Sequence, residues 1–450
     1  MINLFEHYSE KEKDLWCALK KSGYDNPTIV LNDNGYLPQA IHSPVRYFTE
    51  MDSVSENQSR KPMFFNEVPI PNFWEIKGDG QKAEIFDGYK KKGKILYSEC
   101  KGDYRAVRAV EWFNDQEKIR TIDLYNQYGF LFGKESYSDG ELTLTTYFNA
   151  KKQEVILFNH ITKTIRVNFK GKKFVFESFI DFVLFYFELT SLEYTKIFYN
   201  SLATPLFIVE ALQRKKPNEK YKHILFWQEE SQEIPGNMWH LLKEINSSTK
   251  KIIIQNKEEY HRIKKQIKET TMLENKITYL GYLYNLVPRQ TLQKSILIMT
   301  NSDQITNLEK LVKKLSNYQF YIAARTTMSN YLLSYDQFPN VTLYPTVEEE
   351  ELQKLITNCS LYLDINSGNE VDKIIRRVFE NNQLIFAFED KVHDKRDINP
   401  KNIFDINQVE QMVQSIIKAT SNFRKYQNEL DEQRSIAGQS SVENYKEVLK

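Results

Sequence analysis

Hydrophobic and polar positions follow two different periods along this chain, and the change of period divides it. From about Trp74 to Phe176 the period is two: Ile165, Val167 and Phe169 alternate with Thr164, Arg166 and Asn168. Similar runs fall at Lys94–Glu99, Arg105–Trp112, Lys118–Tyr125, Gly129–Phe132, Glu141–Phe148, Glu154–Phe158 and Lys172–Phe176, with turn residues such as Asn114-Asp115, Asp139-Gly140 and Gly171 between them. Many short alternating strands at close spacing predict an antiparallel meander with one face packed and one face wet.

On either side the rhythm is strand and helix. Residues 4–21 pattern as a helix, Thr28–Leu31 as a strand and Asn32-Asp33-Asn34-Gly35 as a turn, followed by a proline-punctuated connector through Pro38, Pro44, Pro62, Pro69 and Pro71. Beyond Phe176, apolar or helical segments at 178–189 and 203–213 lead to strands His223–Trp227, Lys251–Ile254 and Ile277–Leu280, with helices near Gly236–Ile245 and 257–269 between them. A second such unit starts at Ser295–Met299 and continues through strands Gln319–Ala323, Val341–Tyr344, Leu361–Ile365 and Leu384–Phe388. Its helices carry apolar stripes, Leu308, Leu311, Val312 and Leu315 in the first, Leu352, Leu355, Ile356 and Cys359 in the second, Val371, Ile374, Ile375 and Val378 in the third. Thr346-Val347-Glu348-Glu349 reads as a capping box for the second. A long helix over 408–433 and a short one at Val442–Leu449 close the chain.

Apolar strands alternating with amphipathic helices make parallel sheets covered on both faces. The fold class is therefore α/β: two Rossmann-like domains in series, as in the GT-B glycosyltransferase architecture, with an inserted antiparallel β-meander domain. The predicted divisions are 1–74 (first part of domain I plus connector), 75–177 (meander), 178–290 (rest of domain I) and 291–450 (domain II with the C-terminal helices). Ligands of such sheets bind beyond the carboxyl ends of the strands, which in domain II is the loop Asp364-Ile365-Asn366-Ser367-Gly368-Asn369-Glu370.

Composition changes this picture little. The 450 residues suit two or three domains, and the formal charge of +1 with no arginine-rich aromatic motif gives no basis for nucleic-acid binding. Cys17, Cys100 and Cys359 are odd in number and widely spaced, as expected of reduced, buried thiols in a cytoplasmic protein. The charged start of the chain is not a signal peptide, and the most apolar run, Phe179–Leu189, holds Asp181 and Glu188 and is too short to span a bilayer. The expected location is the cytoplasm or the inner face of the cell membrane.

The catalytic motifs are mostly negative. Gly78-Asp79-Gly80-Gln81-Lys82-Ala83 matches a dinucleotide fingerprint, but strand-like residues follow it, so it reads as a hairpin turn. No Asp-x-Asp pair, G-x-S-x-G elbow or H-x-x-x-H spacing occurs, so neither a metal nor a cofactor is expected. Retaining transferases with two Rossmann domains place a Glu in the 364–370 loop, a second Glu eight residues later, and an Arg and a Lys after the first strand of the second domain. Glu370 supplies the first, but eight residues on stands Val378, and Asn369 leads to Arg377. The cation position reads Met299-Thr300-Asn301-Ser302-Asp303-Gln304-Ile305, where a nucleotide diphosphate would meet Asp303 and no balancing charge. The fold is that of a transferase whose donor site is dismantled.

Several strings are specific: Pro27-Thr28-Ile29-Val30, Gly35-Tyr36-Leu37-Pro38-Gln39, Ser43-Pro44-Val45-Arg46-Tyr47-Phe48, Asn66-Glu67-Val68-Pro69-Ile70-Pro71-Asn72-Phe73-Trp74 and 364–371. Through them the chain resembles, over essentially its full length, the non-catalytic stabilising subunits of the accessory Sec system O-GlcNAc transferases that glycosylate serine-rich repeat adhesins of Gram-positive bacteria. The resemblance implies a catalytic glycosyltransferase partner that binds UDP-GlcNAc, in a hetero-oligomer for which 2:2 is one stoichiometry. It also implies that this chain holds the Ser/Thr-rich adhesin, unmodified and partly glycosylated. The alternatives are an active GT-B transferase with atypical donor contacts and a carbohydrate- or peptide-binding protein without a transferase partner. Candidate residues follow. Asp364, Asn366, Asn369 and Glu370 can hydrogen-bond sugar hydroxyls, with Ser367 or Asn369 as helix N-cap the plainer role for that loop. Arg105, Arg108, Trp112, Arg120, Tyr125 and Tyr128 are candidates for a partner and acceptor surface on the meander, whose open edges invite pairing.

Overall fold

A computed structural model describes residues 1–51, 61–78, 82–98, 105–267 and 275–450, and the chain divides into two compact units, Met1–Leu280 and Gly281–Lys450. The first begins with strand β1 (Ile2–Phe5), helix α1 (Glu10–Lys21), β2 (Thr28–Val30), β3 (Ile41–His42) and α2 (Pro44–Thr49). The helix expected over 4–21 is thus shorter and preceded by a strand. Ile2, Leu4 and Phe5 are fully buried, and a capping box at Ser9, whose backbone N–H donates to Glu12 Oε2 at 2.8 Å, starts the helix only after that strand has ended.

Ten strands follow, with no helix between them among the described residues: β4 (Trp74–Gly78), β5 (Lys82–Asp87), β6 (Lys90–Tyr97), β7 (Val107–Phe113), β8 (Ile119–Tyr125), β9 (Leu131–Ser138), β10 (Glu141–Phe148), β11 (Glu154–Asn159), β12 (Ile165–Phe169) and β13 (Lys172–Phe176). Each pairs antiparallel with its sequence neighbours, so the sheet is a meander with β4 and β13 at its edges. Asp79–Gln81 of the fingerprint-like string lie outside the described residues, but Gly78 and Ala83 face each other across β4 and β5.

The chain then returns through α3 (Phe179–Thr190), β14 (Ile197–Tyr199), α4 (Thr204–Lys215), β15 (His223–Trp227), α5 (Gly236–Lys243), β16 (Thr249–Ile254), α6 (Lys257–Ile267) and β17 (Ile277–Tyr279). The parallel sheet has the order β3-β2-β1-β14-β15-β16-β17, a doubly wound arrangement interrupted after β3 by the meander. One loop seats the meander on it. Asp33, at the end of β2, accepts from Gly35 N (2.8 Å), Ser43 Oγ (2.7 Å) and Arg46 Nε (3.2 Å), while Arg46 also donates to the carbonyls of Leu37 and Ile41. Gly35 (φ +82°) lies so close to Phe132 and the Asn126 backbone that a side chain there would collide, and Gln127 N donates to Gly35 O. Tyr36 OH donates to Val107 O at 2.8 Å. The strings 35–39 and 43–48 are therefore the joint between sheet and meander.

In the second unit β18 (Ser295–Met299), α7 (Leu308–Lys314), β19 (Gln319–Ala323), α8 (Asn330–Leu333), β20 (Val341–Tyr344), α9 (Glu349–Asn358), β21 (Leu361–Asp364), α10 (Ile374–Glu380), β22 (Leu384–Phe388) and β23 (Ile403–Phe404) form a parallel sheet of order β20-β19-β18-β21-β22-β23. Residues 281–290 pack with this unit: Tyr284 is buried against Phe379 and donates to Ala437 O. Three expectations change. The long helix over 408–433 is two helices, α11 (Val409–Ala419) and α12 (Phe423–Ile436), because Asn422 accepts from Lys425 N and starts a new one; α13 (Val442–Leu449) follows. The capping box at 346–349 is not formed: Thr346 is left-handed (φ +50°), and Glu348 is the N-cap without a side-chain bond. Neither Ser367 nor Asn369 caps α10, whose N-cap is Lys373.

Candidate functional site

In the second unit β18 and β21 are neighbours whose connections leave toward opposite sides of the sheet, so the crevice between their carboxyl ends is where the fold offers a ligand site. The loops after them, 300–306 and 364–370, are stitched to each other. Thr306 N donates to Ile365 O and Ser367 N to Gln304 O, each at 3.0 Å. Asn366, 3% exposed, accepts from Thr300 Oγ1 (2.8 Å) and Gly368 N (3.1 Å) and donates to Asn301 Oδ1 and Asn369 O (3.1 Å each). The Asn301 side chain lies against Gly368 where a β-carbon would stand. The space beside Gly368 is thus taken by a side chain of the same chain.

The carboxylates of the loop face inward too. Asp364 is 1% exposed; Oδ2 accepts from His393 N (2.9 Å) and Oδ1 pairs with His393 Nδ1 (2.6 Å). His393 Nε2 stands 2.8 Å from Gly368 O. The hydrogen bond to the Asp364 carboxylate, reinforced by Gly368 O, outweighs burial and pushes His393 up to about 9, so near neutral pH an imidazolium donates from both nitrogens and clasps the loop. Glu370 Oε1 accepts from Ile375 N at 3.0 Å, closing the first turn of α10, and burial raises its pKa. Of the loop candidates, Asn369 is exposed and Glu370 half-buried. Asp364 and Asn366 are consumed by internal bonds because the end of β21 lies beneath the 300–306 and 393 segments.

Arg325, after β19, is bonded to Asp372, Glu349 and Val347 O, and Arg377 donates to Glu349 Oε1 (2.7 Å) and Gln353 Oε1 (3.1 Å). These arginines are neutralised within the chain. Among the described residues no group of three or more His, Cys, Asp or Glu side chains is arranged to hold a metal ion, and no helix is long and apolar enough to cross a membrane.

The first unit has an equivalent crevice between β1 and β14, which the sequence reading missed by placing residues 4 and 5 in a helix. There Glu6 accepts from Ser201 Oγ (2.7 Å) and Thr204 Oγ1 (2.8 Å), and Asn200 Nδ2 donates to the buried Glu12 (2.6 Å). The apolar run Ile2–Phe5 ahead of the Ser9/Glu12 capping box was the available signal.

The meander candidates scatter. Arg108 and Arg120 are exposed. The Arg105 guanidinium lies 5.3 Å from the centre of the Phe65 ring. Trp112 Nε1 donates to Asp123 Oδ2 at 2.8 Å. Tyr128 lines an open pocket with Lys61, Met63, Phe64 and Glu67. Tyr125 is not on the surface: it is 5% exposed, in the core formed with Val68, Ile85, Val107 and Val110, and burial pushes it up to about 12.

A Streptococcus agalactiae protein, the UDP-N-acetylglucosamine–peptide N-acetylglucosaminyltransferase stabilizing protein GtfB, is 40% identical over 100% of this chain and 99% of its own length. The chain belongs to the GtfB family. Models of the GtfB N-terminal, middle and third domains match residues 2–48, 74–177 and 180–266, and the GftB/GlyA-F C-terminal domain matches 296–433. The Streptococcus gordonii GtfB stabilizing protein is 35% identical over 100% of this chain and 98% of its own length. A chain in the crystal structure of a GtfA/B complex bound to UDP and GlcNAc superposes with a TM-score of 0.91 at 35% identity, covering 100% of this chain and 99% of that one. The expected GT-B-like fold and the family resemblance both stand.

Proposed function

We propose that this GtfB-family chain is the non-catalytic stabilising subunit of a protein O-GlcNAc transferase: it holds a catalytic glycosyltransferase subunit and the Ser/Thr-rich adhesin acceptor, while the partner transfers GlcNAc from UDP-GlcNAc. The observation that carries the reading is the sealed β18/β21 crevice, where Asn301 covers Gly368 and the 300–306 loop supplies no cation, in a chain matched end to end by stabilising proteins. A diphosphate placed there meets Asp303 and Glu370, while the nearby imidazolium of His393 is already spent on Asp364 and Gly368 O. The subunit is accordingly a pseudo-transferase that acts in the cytoplasm, with contact to the inner membrane face through its complex.

The insertion at 75–177 is the partner and acceptor surface in this reading, supported by its open edge strands and by the exposed Arg108 and Arg120. Any contact between the 364–370 loop and GlcNAc already on the acceptor falls to Asn369 and Glu370, since Asp364 and Asn366 are spent. Calorimetry and transfer assays on the purified chain, alone and with its catalytic partner, test this. The chain alone is expected to bind no UDP-GlcNAc and transfer no sugar, and to raise the partner's transfer onto a serine-rich peptide. Enzyme-like transfer by the isolated chain would instead establish an active transferase with atypical donor contacts.

A further inference from the structure

Strands β14 and β15 lie side by side with Phe198 opposite Ile224, and the rings of Phe198 and Phe226 meet at 5.7 Å on one face of their sheet. Side chains two residues apart along a strand share a face, so Asn200 and Gln228, each just past the end of its strand, turn to that same side. Both reach the first turn of α1. Asn200 Nδ2 donates to Glu12 Oε1 (2.6 Å), and Gln228 Nε2 donates to the Lys11 carbonyl (3.3 Å). Each of the two residues is only 7% exposed. A carboxylate and a carbonyl are acceptors only, which fixes both amides with nitrogen toward the helix; turning either one over would set oxygen against oxygen. The other end of each amide, Asn200 Oδ1 and Gln228 Oε1, is buried and has no donor among the described residues.

The carboxylate beside them is short of positive charge. Glu12 is 9% exposed and accepts from Ser9 N (2.8 Å), Ser9 Oγ (2.6 Å) and Asn200 Nδ2, all neutral donors. Lys13 pairs with Glu10 instead, at 3.6 Å. The positive end of α1 offsets about half a unit charge. Buried carboxylates are ordinarily paired with a cation or bound to a metal ion, and a buried acceptor without a donor is costly. Under one helical turn, then, α1 and the ends of β14 and β15 bring one negative charge and two unused amide oxygens to the carboxyl end of the sheet, beside the β1/β14 crevice. A single water molecule could donate to amide oxygens but brings no charge to Glu12.

We propose that this place is a binding site for a monovalent alkali cation, sodium or potassium, held by Asn200 Oδ1, Gln228 Oε1 and the Glu12 carboxylate. Carboxylate and side-chain amide oxygens are the ligands that hard cations take. One carboxylate balances one positive charge, whereas a calcium site gathers more charge and more ligands. The ion ties α1 to β14 and β15 beside the first unit's crevice, the part that the His393 imidazolium plays in the second unit. Neither the catalytic partner nor the acceptor takes part in it.

Thermal unfolding of the full chain in sodium, potassium and choline chloride at one ionic strength tests it, with hydrogen exchange on the wild type as the local readout. Sodium or potassium is expected to raise the midpoint over choline in a saturable way, by roughly 3 °C at ten times the dissociation constant. The same ion is expected to slow exchange at 9–15 and 228–231 and not at 361–370. Gln228→Met keeps the volume and removes the oxygen. It is expected to lower the midpoint in choline and to lose the response to the alkali ion, whereas a glutamine with only a structural role would lower the midpoint and leave the response intact. Asn200→Asp adds a second carboxylate and is expected to enlarge the response. A wild type whose midpoint and exchange are the same in all three salts, or either variant responding as the wild type does, overturns the proposal.

Discussion

The two parallel sheets have the same strand order around their switch points, β2-β1-β14-β15 in one unit and β19-β18-β21-β22 in the other, yet they close those points with different chemistry. In the first unit an acid with hydroxyl partners fills the rim, Glu6 holding Ser201 and Thr204. In the second a carboxylate–imidazolium clasp and an amide stitch hold two loops together, Asp364 with His393 and Asn366 with Thr300 and Asn301. In the second, the charge on His393 holds the loop. A fold that ordinarily keeps these crevices open for a nucleotide can thus be made into a scaffold by spending its polar side chains on itself, and the difference between the two closures can be tested separately.

The largest effect is expected from Asp364→Ala, which strips a buried acceptor from His393 Nδ1 and from the His393 backbone N–H. The cost is about 2–4 kcal/mol, read as a lowered midpoint in denaturant unfolding, with loss of hydrogen-exchange protection at 361–370 and 393 and none at 197–204. Next, Glu6→Ala leaves the Ser201 and Thr204 hydroxyls without their acceptor at a half-exposed rim. About 1–2 kcal/mol is expected, with the exchange pattern reversed. If either substitution loosens both regions equally, the two closures are not independent.

The pH dependence separates them further. His393 has a folded-state pKa raised to about 9 from an ordinary value near 6.5. Its contribution is therefore complete below the ordinary histidine range and is lost as pH rises through about 9. Thermal unfolding of the wild type is expected to weaken over that window, and His393→Gln to flatten the window while lowering stability at pH 7 by about 1–2 kcal/mol. The slope should not change in Glu6→Ala. The smallest effect is expected for Asn301→Ala. Asn366 Nδ2 loses one of its two partners and the notch at Gly368 opens, for about 0.5–1.5 kcal/mol. Calorimetry should still find no UDP binding, because the cations are absent as well as the space. UDP binding by that variant would show that the Asn301 side chain was the whole barrier.

Much of the fold was legible in the sequence because burial leaves a periodic trace. Strands Ser295–Met299, Gln319–Ala323, Val341–Tyr344 and Leu384–Phe388, closed in by helices on both faces, read as short apolar runs, and Glu141–Phe148 and Lys172–Phe176 alternate because one of their faces is wet. That 299–305 holds no Arg or Lys was legible too, because it is a property of the sequence itself. Only the tertiary structure decided the rest. Ile2–Phe5 resembles a helical start until it is placed between β2 and β14, where its full burial makes it a central strand. Asp364 and Asn366 look like free polar groups in the linear chain. Their partners His393 and Thr300 stand 29 and 66 residues away, and hydrogen bonds between residues so distant leave no local pattern. Tyr125 looked like a surface aromatic, and it is buried in a cluster that also takes in Val68 of the connector, which no alternation within β8 records. Periodicity reports which face of an element is buried, while the three-dimensional packing decides against what.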